Sequence, residues 1–269
     1  MKPKMYIASC SFGKDSIATI LLALEKGEPL DRVVFAEVMF DHTRNISGEI
    51  PEHIQWIYGT AIPKLEAMGV KVDVVRAEKD YVTLCKQKRI KGAKVGQMYG
   101  VQNSFPCFAN SELKIKPVKD YIKKLKGKYE IIQYVGIASD EPKRLARLEG
   151  TNKVSLLAKY KYSEAHARYK CRIYDLLSPI YEYGCRGGCW FCYNAEYARY
   201  INIRRNYPEY WQAFRDLYND SDSKSFCYGK TLQQVEKGMD VEEFFNERQL
   251  KLFEYDRGIE IIARVGGRD

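Results

Sequence analysis

The sequence predicts an α/β protein built on a Rossmann-like, doubly wound parallel sheet of about five strands. Short apolar runs that resemble strands alternate with helical segments along the first two thirds of the chain, and the first run leads through a short turn into a helix. At 269 residues, with 45% hydrophobic and 29% charged residues, the chain is long enough to bury a large core. Strand–helix–strand units favour parallel strands with helices on both faces.

The predicted elements follow one another in a simple order. The strand-like runs are MYIASC, RVVFAEVMF, VKVDVVRAE and EIIQYVGIA, and the helical segments are DSIATILLALEKG, PEHIQWIYGTAIPKLEAMG and DEPKRLARLEG. Residues 92–106 contain several glycines and few periodic apolar residues, which predicts a long active-site loop. Beyond residue 182, cysteines and then aromatic residues at helical spacing predict a helical section. We therefore expect an α/β domain over 1–181, with a cysteine-bearing helical section over 182–269 packed on it.

Composition limits the classes of partner and compartment. The net charge of +9 favours an anionic partner, either a nucleotide or a nucleic acid. No apolar run approaches the roughly 20 residues that span a bilayer, and the N-terminus lacks the pattern of a signal peptide, so a cytoplasmic protein without membrane contact is expected. In such a chain, eight cysteines favour reduced thiols or metal ligands over disulfides.

The turn SFGKDS, between the first strand and the first helix, is a candidate phosphate site. The start of a helix presents unpaired N–H groups and a positive dipole to an anion. Ser11 and Ser16 add hydroxyl donors, Lys14 adds a cation, and Gly13 allows close approach of the backbone. Asp15 follows the lysine, so the turn is not a Walker A loop; this carboxylate would cap the helix or help to hold Mg²⁺. A capped helix without a ligand is the alternative.

These residues resemble a known family. Ser11-Phe12-Gly13-Lys14-Asp15-Ser16 is similar to the SGGxDS loop of the N-type ATP pyrophosphatases, the PP-loop superfamily, in the branch that includes phosphoadenylylsulfate (PAPS) reductases. FDHTRNISGEIPEHIQW resembles the family's Asp-Thr-Gly segment, and VGIASDEPKRLARL resembles its Gly-Ile-x-x-Asp-Glu segment. Phe12 stands where the family has a glycine, so we expect its backbone to lie outside the left-handed region.

The resemblance implies a set of site residues. ATP would be bound by Ser11, Phe12, Gly13, Lys14, Asp15 and Ser16, Arg144 and Arg147 would meet a second phosphate or a sulfate, and catalysis would involve Lys14, Asp15, Asp140 and Glu141. Asp41 and His42 stand at the end of the second strand, where ligands of open α/β sheets bind, so they are also expected near the nucleotide. Helix capping is the alternative for the pair at 140 and 141, and a solvated helix face is the alternative for the two arginines.

Three of the cysteines have the spacing of a metal site. Cys185, Cys189 and Cys192 form a C-x3-C-x2-C group, which lets three thiolates converge on one soft metal centre. The resemblance names Cys107 as the fourth ligand, because the family has Leu-Lys and Pro after such a cysteine. In the branch resembling the sulfur-transfer enzyme of DNA phosphorothioation, four such cysteines hold a [4Fe-4S] cluster. A structural Zn²⁺ is the alternative. The other four cysteines stand alone and are assigned no chemistry.

Two segments concentrate positive charge. LKIKPVKDYIKKLKGKYE has seven lysines between Lys114 and Lys128, and KYKYSEAHARYKCRIY interleaves basic residues with tyrosines. Such surfaces bind nucleic acids through phosphate contacts and base stacking. A solvated lysine-rich helix is the alternative.

The resemblance thus implies an enzyme that binds ATP in its first section, 1–181, adenylylates a substrate with release of pyrophosphate, and uses a four-cysteine cluster to transfer sulfur to a nucleic acid or nucleotide. A sulfur donor protein and a second copy of the chain are further candidate partners. The tail EIIARVGGRD lacks the Glu-Cys-Gly motif of assimilatory PAPS reductases, which argues against sulfate reduction. A reductase or transferase for a small sulfonucleotide such as PAPS is one alternative, and a nucleotide-binding module with structural zinc is another.

Overall fold

A computed structural model of the chain describes residues 2–182 and 187–246. The strands are β1 (Lys4–Cys10), β2 (Arg32–Ala36), β3 (Met39–Asp41), β4 (Ile46–Ser47), β5 (Val72–Val75), β6 (Glu130–Val135) and β7 (Lys153–Val154). Five of them form one sheet in the order β5-β2-β1-β6-β7, and every neighbouring pair in it is parallel. Strands β3 and β4 form a separate antiparallel pair. The predicted fold class is confirmed.

The helices follow the predicted alternation. They are α1 (Lys14–Glu25), α2 (Pro51–Trp56), α3 (Ile62–Ala67), α4 (Tyr81–Lys86), α5 (Lys116–Leu125), α6 (Pro142–Leu145), α7 (Leu156–Lys159), α8 (Glu164–Ile173), α9 (Tyr197–Asn206) and α10 (Pro208–Asp220). A π-helical turn, Ile57–Ala61, joins α2 to α3, and a second one, Asn110–Ile115, leads into α5. A further helix begins at residue 232 and continues to 246, where the described chain ends. Among these helices none is long and apolar enough to cross a bilayer.

Both faces of the five-stranded sheet are covered, because side chains alternate along its buried strands. In β2, Val33 and Phe35 pack with α1 and α8 on one face. Val34, between them, packs on the other face with Ile122 of α5. The helices therefore flank the sheet as the sequence predicts.

The chain divides into two compact units. One comprises Met1–Gln87 with Pro106–Trp190 and contains the sheet; the other comprises Lys88–Phe105 with Phe191–Asp269. The glycine-containing loop predicted near the active site falls almost entirely in the second unit, and its role stays a prediction, as does the domain boundary at 181 and 182.

The described part of the second unit is mainly helical. Tyr200 of α9 packs on Trp211 of α10, with ring centroids 5.7 Å apart, and Phe226 contacts both Tyr200 and Phe214. The aromatic residues at helical spacing are thus core residues of this unit.

Candidate functional site

The turn between β1 and α1 is closed by one buried hydroxyl. The Oγ of Ser16 accepts a hydrogen bond from the Ser11 N–H at 3.3 Å and donates one to the Gly13 carbonyl at 2.9 Å. The same carbonyl accepts the Ile17 N–H at 3.1 Å, so α1 begins directly after Gly13. The Ser16 hydroxyl therefore fixes the shape of the turn.

The expectation for the backbone of Phe12 is wrong. Phe12 has a φ of 55°, in the left-handed region, although it is not glycine. A left-handed conformation costs a residue with a side chain about 1–2 kcal/mol. The ring is fully buried and packs edge-on against Phe35 and Trp56, with centroid distances of 5.1 and 6.5 Å. Burial of an aromatic ring offsets this cost, so packing has decided the backbone conformation.

Lys14 lies between two carboxylates. Its Nζ is 2.8 Å from Oδ1 of Asp15 and 2.8 Å from Oε2 of Glu164, the first residue of α8. Burial lowers the pKa of Lys14, but its hydrogen bonds with the two carboxylates outweigh burial and raise the pKa overall. Burial raises the pKa of Asp15, and the hydrogen bond from Lys14 opposes this shift. An anion that enters the turn must therefore compete with Asp15 and Glu164 for the ammonium group.

Tyr181 closes the turn from the other side. Its hydroxyl oxygen accepts a hydrogen bond from the Lys14 N–H at 3.0 Å, which occupies one of the amides of the first helical turn. Burial raises the pKa of this phenol. A β-carbon on Gly13 would lie 3.2 Å from the Tyr181 oxygen, so the glycine permits the close approach of this side chain.

A cavity of about 850 Å³ opens beside the turn, within the first unit. Its volume falls in the range of sites for small organic ligands, about 300–1,000 Å³. Four of the predicted turn residues line it: Ser11, Gly13, Asp15 and Ser16. Residues that the sequence analysis did not single out also line it: Glu49, Gln133, Asn152, Lys153 and Tyr181. The turn thus faces a space large enough for a nucleotide.

Glu49 has the least expected environment among these residues. The residue is only 2% exposed, and its Oε1 has no hydrogen-bond partner among the described residues. Its own N–H donates to Ser47 Oγ at 3.3 Å, and its backbone forms an antiparallel bridge with that of Cys189. A buried carboxylate oxygen without a donor costs free energy. Since Glu49 lines the cavity, this oxygen is suited to accept a hydrogen bond or a cation from a ligand.

His53 contacts the turn through the carbonyl group of Ser11. Its side chain is fully buried, with Nδ1 2.8 Å from the Ser178 hydroxyl oxygen and Nε2 3.3 Å from the Ser11 carbonyl oxygen. Burial lowers the pKa of the imidazole. His53 therefore serves the turn as a neutral, positioning side chain.

Asp41 and His42 are not among the residues that line the cavity in the described part of the chain. Asp41 Oδ1 accepts the backbone N–H groups of Thr43 and Arg44, at 2.8 and 3.1 Å. The N–H of His42 donates to the carboxylate of Asp80 at 2.7 Å. These bonds fix the loop after β3; a contact of Asp41 or His42 with a nucleotide stays a prediction.

The carboxylates of Asp140 and Glu141, which follow β6, accept hydrogen bonds from nearby groups. Asp140 Oδ1 accepts the N–H of Glu164, at the start of α8, at 3.2 Å. Glu141 accepts the Ala138 N–H at 3.1 Å and an Nη1–H of Arg144 at 2.6 Å. Both carboxylates thus accept hydrogen bonds from nearby groups of the protein, and their catalytic roles stay predictions.

The two predicted arginines lie near the turn. Arg144 lines the main cavity and, together with Arg147, an adjoining cavity of about 320 Å³ that also includes Ser9 and Gly136. Arg144 therefore has access to the space beside Ser11–Ser16, whereas Arg147 lines only the smaller cavity.

The predicted metal ligands are only partly described. Cys107 and Cys189 belong to the first unit and Cys192 to the second, and all three are partly exposed. Cys185 lies outside the described residues. Within the described ranges no group of three or more His, Cys, Asp or Glu residues is arranged to hold a metal ion, but one predicted ligand is missing from that set. The four-cysteine site stays a prediction.

Cys227, which the sequence analysis treats as isolated, has a neighbour in the second unit. The Tyr200 hydroxyl donates to the Cys192 carbonyl and lies 3.3 Å from Cys227 Sγ. Burial raises the pKa of Cys227. By contrast, the thiols of Cys10 and Cys171 are buried in the first unit, and burial raises their pKa values to about 11 and about 12.

Comparison with known proteins adds one structural likeness. No family model matches the chain, and no curated protein matches its sequence. Among solved structures, it is similar to the U34-tRNA thiolase NcsA from Methanococcus maripaludis, solved with its [4Fe-4S] cluster. The identity is 18%, the match covers 83% of this chain and 74% of that chain, and the TM-score is 0.42. A likeness of this extent carries no conclusion about the family or the activity of this chain.

Proposed function

We propose that the chain is a PP-loop enzyme that binds ATP at Ser11–Ser16 and releases pyrophosphate by adenylylating a substrate. The observation that carries this proposal is the cavity of about 850 Å³ onto which the turn opens, lined by Ser11, Gly13, Asp15 and Ser16. The turn follows the central strand of a parallel sheet and begins a helix, where phosphate groups bind favourably. The resemblance of SFGKDS to the SGGxDS loop supports ATP as the ligand.

In the proposed reaction the turn holds the phosphates of ATP and exposes the α-phosphorus. An oxygen of the acceptor bonds to that phosphorus, the bond from it to the bridging oxygen of the β-phosphate breaks, and pyrophosphate leaves with the bonding electrons. Lys14 stabilises the departing negative charge after exchanging Asp15 or Glu164 for phosphate oxygens. Mg²⁺ bound to the phosphates would be held by Asp15.

The sulfur-transfer step rests on the cysteines and on the resemblance. Cys107, Cys185, Cys189 and Cys192 supply thiolates, the donors that iron–sulfur clusters require. A [4Fe-4S] cluster held there would supply sulfur or electrons, and the adenylylated position of a nucleic acid or nucleotide would be the acceptor, with AMP as the leaving group. The two alternative functions, reduction of a sulfonucleotide and nucleotide binding with structural zinc, predict that no pyrophosphate is released from ATP.

Product analysis with ATP labelled at the α-phosphate in one assay and at the γ-phosphate in a second assay tests the proposal, because the first label follows AMP and the second follows pyrophosphate. Anaerobically purified protein is incubated with MgATP and total RNA or DNA, and the phosphate products are separated. We expect pyrophosphate and AMP, with the rate reduced at least about 100-fold in Asp15→Ala, since a group that positions charge at the reacting phosphate contributes on this scale. Asp216→Ala, which removes an exposed carboxylate of α10, is the matched control and should keep the full rate. ATP binding without any pyrophosphate would refute adenylylation.

A further inference from the structure

One wall of the cavity beside the turn is a row of lysines. Lys119 and Lys123 of α5 and Lys126, the C-cap residue of that helix, all line it. Residues spaced by four and three lie on one face of a helix, and seven residues of α-helix rise about 10 Å. Lys114, in the π-helical turn before α5, continues this wall. We refer to Lys119, Lys123 and Lys126 as the lysine row.

The row is free to bind an anion. The three side chains are exposed, and within residues 2–182 and 187–246 none of them forms an ion pair. The helix is held in place by residues beside the row: Ile122, which also lines the cavity, and Leu125 pack against the sheet, and the Tyr121 hydroxyl donates to Asp73 at 2.7 Å. The lysine row is therefore presented by a firmly packed element and not by a mobile loop.

The cavity carries more positive charge than MgATP, the form of the nucleotide in the proposed reaction, requires. Its lining includes six basic residues and two acidic ones: Lys114, Lys119, Lys123, Lys126, Arg144 and Lys153 against Asp15 and Glu49. The phosphates of ATP are assigned to the turn at the carboxyl end of β1. The lysine row extends this positive wall along α5, so a second polyanion can lie there while ATP occupies the turn.

We propose that the lysine row binds the sugar–phosphate backbone of a single-stranded nucleic acid, whose reacting nucleotide enters the cavity and meets ATP there. This inference rests on the proposed function, because it names the class of acceptor for that reaction. A backbone carries one charge per nucleotide, and lysines in a row track it without reading the sequence.

The acceptor must be single-stranded or locally unpaired where it reacts. A cavity of about 850 Å³ accommodates one or two nucleotides but is too small to hold a double helix. Chemistry on a nucleotide inside a duplex requires that the nucleotide leave the stack, which costs a few kcal/mol. A preference for single strands over duplexes of the same sequence follows.

The salt dependence of binding tests the row. A fluorescent 12-nucleotide single strand is titrated with the whole protein, without ATP, at several KCl concentrations. Each phosphate neutralised on a single strand contributes about −0.7 to the slope of log K against log salt, so K119Q/K123Q/K126Q should make the slope shallower by about 2. The control K116Q/K124Q/K128Q removes the same charge from lysines that do not line the cavity, and its slope should stay within about 0.5 of the wild type. The duplex form should bind more weakly than the single strand.

MgATP binding, measured by calorimetry, separates this inference from the proposed function. We expect the lysine-row variant to bind MgATP within about twofold of the wild type. If it loses ATP binding and keeps the slope for the single strand, the row serves ATP and the inference is wrong. If no variant changes the slope, or no single strand binds at 50 mM KCl, the inference is wrong while ATP binding can still stand. If the wild type binds the strand and not ATP, the proposed function fails instead.

Discussion

A β-carbon on Gly136 would lie 2.7 Å from the carbonyl carbon of Asp15 and 2.7 Å from the amide nitrogen of Ser16. The chain after β6 therefore touches the backbone at the start of α1, with no room for a side chain. This contact joins two segments that both belong to the candidate ATP site. Gly136 does not have a left-handed φ, so its backbone conformation does not require glycine. Glycine is required there because a β-carbon would clash with the start of α1.

Gly136→Ala should displace the first turn of α1. We expect a loss of about 1–3 kcal/mol in the free energy of unfolding, the usual range for an inserted methyl group, and a loss of at least tenfold in MgATP affinity. Gly127→Ala is the matched control, because a β-carbon there meets nothing within 4 Å and its φ is not positive. Urea denaturation and calorimetry measure the two effects, and equal behaviour of both variants would contradict the packing argument.

Phe12 allows strain and packing to be separated. Phe12→Ala removes the buried ring and keeps a side chain in the left-handed region, so it should cost about 3–5 kcal/mol of stability. Phe12→Gly also removes the ring but relieves the backbone, and should be more stable than Phe12→Ala by about 1 kcal/mol. At Phe35, in a strand, the order should reverse, because glycine weakens a strand relative to alanine. The same order at both positions would show that no strain is stored at Phe12.

Glu49→Met should make the protein more stable and less able to bind its ligand. Removing a buried carboxylate oxygen without a donor relieves a penalty of about 1–3 kcal/mol, while the group that would accept the ligand's donor is lost. Glu37→Met is the opposite case, since Glu37 is equally buried but accepts hydrogen bonds from Arg76 and Tyr58 at 2.7 and 2.6 Å, so it should destabilise. Thermal unfolding with and without MgATP measures both. A destabilised Glu49→Met would mean that Glu49 has a structural role.

His53 should make stability depend on pH below neutrality. Because burial lowers the pKa of the folded imidazole below the ordinary 6.5, the unfolded chain takes up a proton that the folded protein excludes. The free energy of unfolding therefore falls as the pH decreases from 7 to 5, by up to about 1.4 kcal/mol per pH unit from this group. His53→Asn should flatten this slope and leave the slope between pH 7 and 8 unchanged. Denaturation series at fixed pH values decide, and an unaltered slope below pH 7 would contradict the assignment.

The predicted cysteine site is tested by metal content. Cys107→Ala should lose metal as completely as Cys189→Ala, because each removes one thiolate of four, whereas Cys85→Ala removes a buried thiol and should keep the metal. Iron, sulfide and zinc are assayed after anaerobic purification. About four irons and four sulfides per chain would support the cluster, and about one zinc would support a structural site. Retention of metal by Cys107→Ala would exclude it as a ligand.

The strands and helices of the sheet domain were predicted well because each is indicated by a pattern of residues that are close together in the sequence. The apolar run in RVVFA and the helical period in DSIATILLALE can each be recognised within a dozen residues. The conformation of Phe12 could not be recognised in this way, since it depends on Phe35 and Trp56 closing around the ring.

The site was predicted in part for the same reason. Ser11–Ser16 is one contiguous motif, but its partners come from distant parts of the chain. Glu164 is 150 residues and Tyr181 is 167 residues from Lys14. In its sequence context, Glu164 is typical of an acidic residue in the first turn of a helix. Nothing near Glu49 in the sequence indicates that its carboxylate is buried.

The position of β1 also affects how the chain folds during synthesis. β1 pairs with β2 close by, but its other neighbour is β6, so that Lys4 lies opposite Glu130. At about 5–20 residues per second, a ribosome needs roughly 6–25 s to reach β6 after it has made β1. During that interval the central strand has an open edge, which is a template for pairing with other chains. Newly made N-terminal fragments that end before residue 130 should therefore depend on chaperones more than the full chain does.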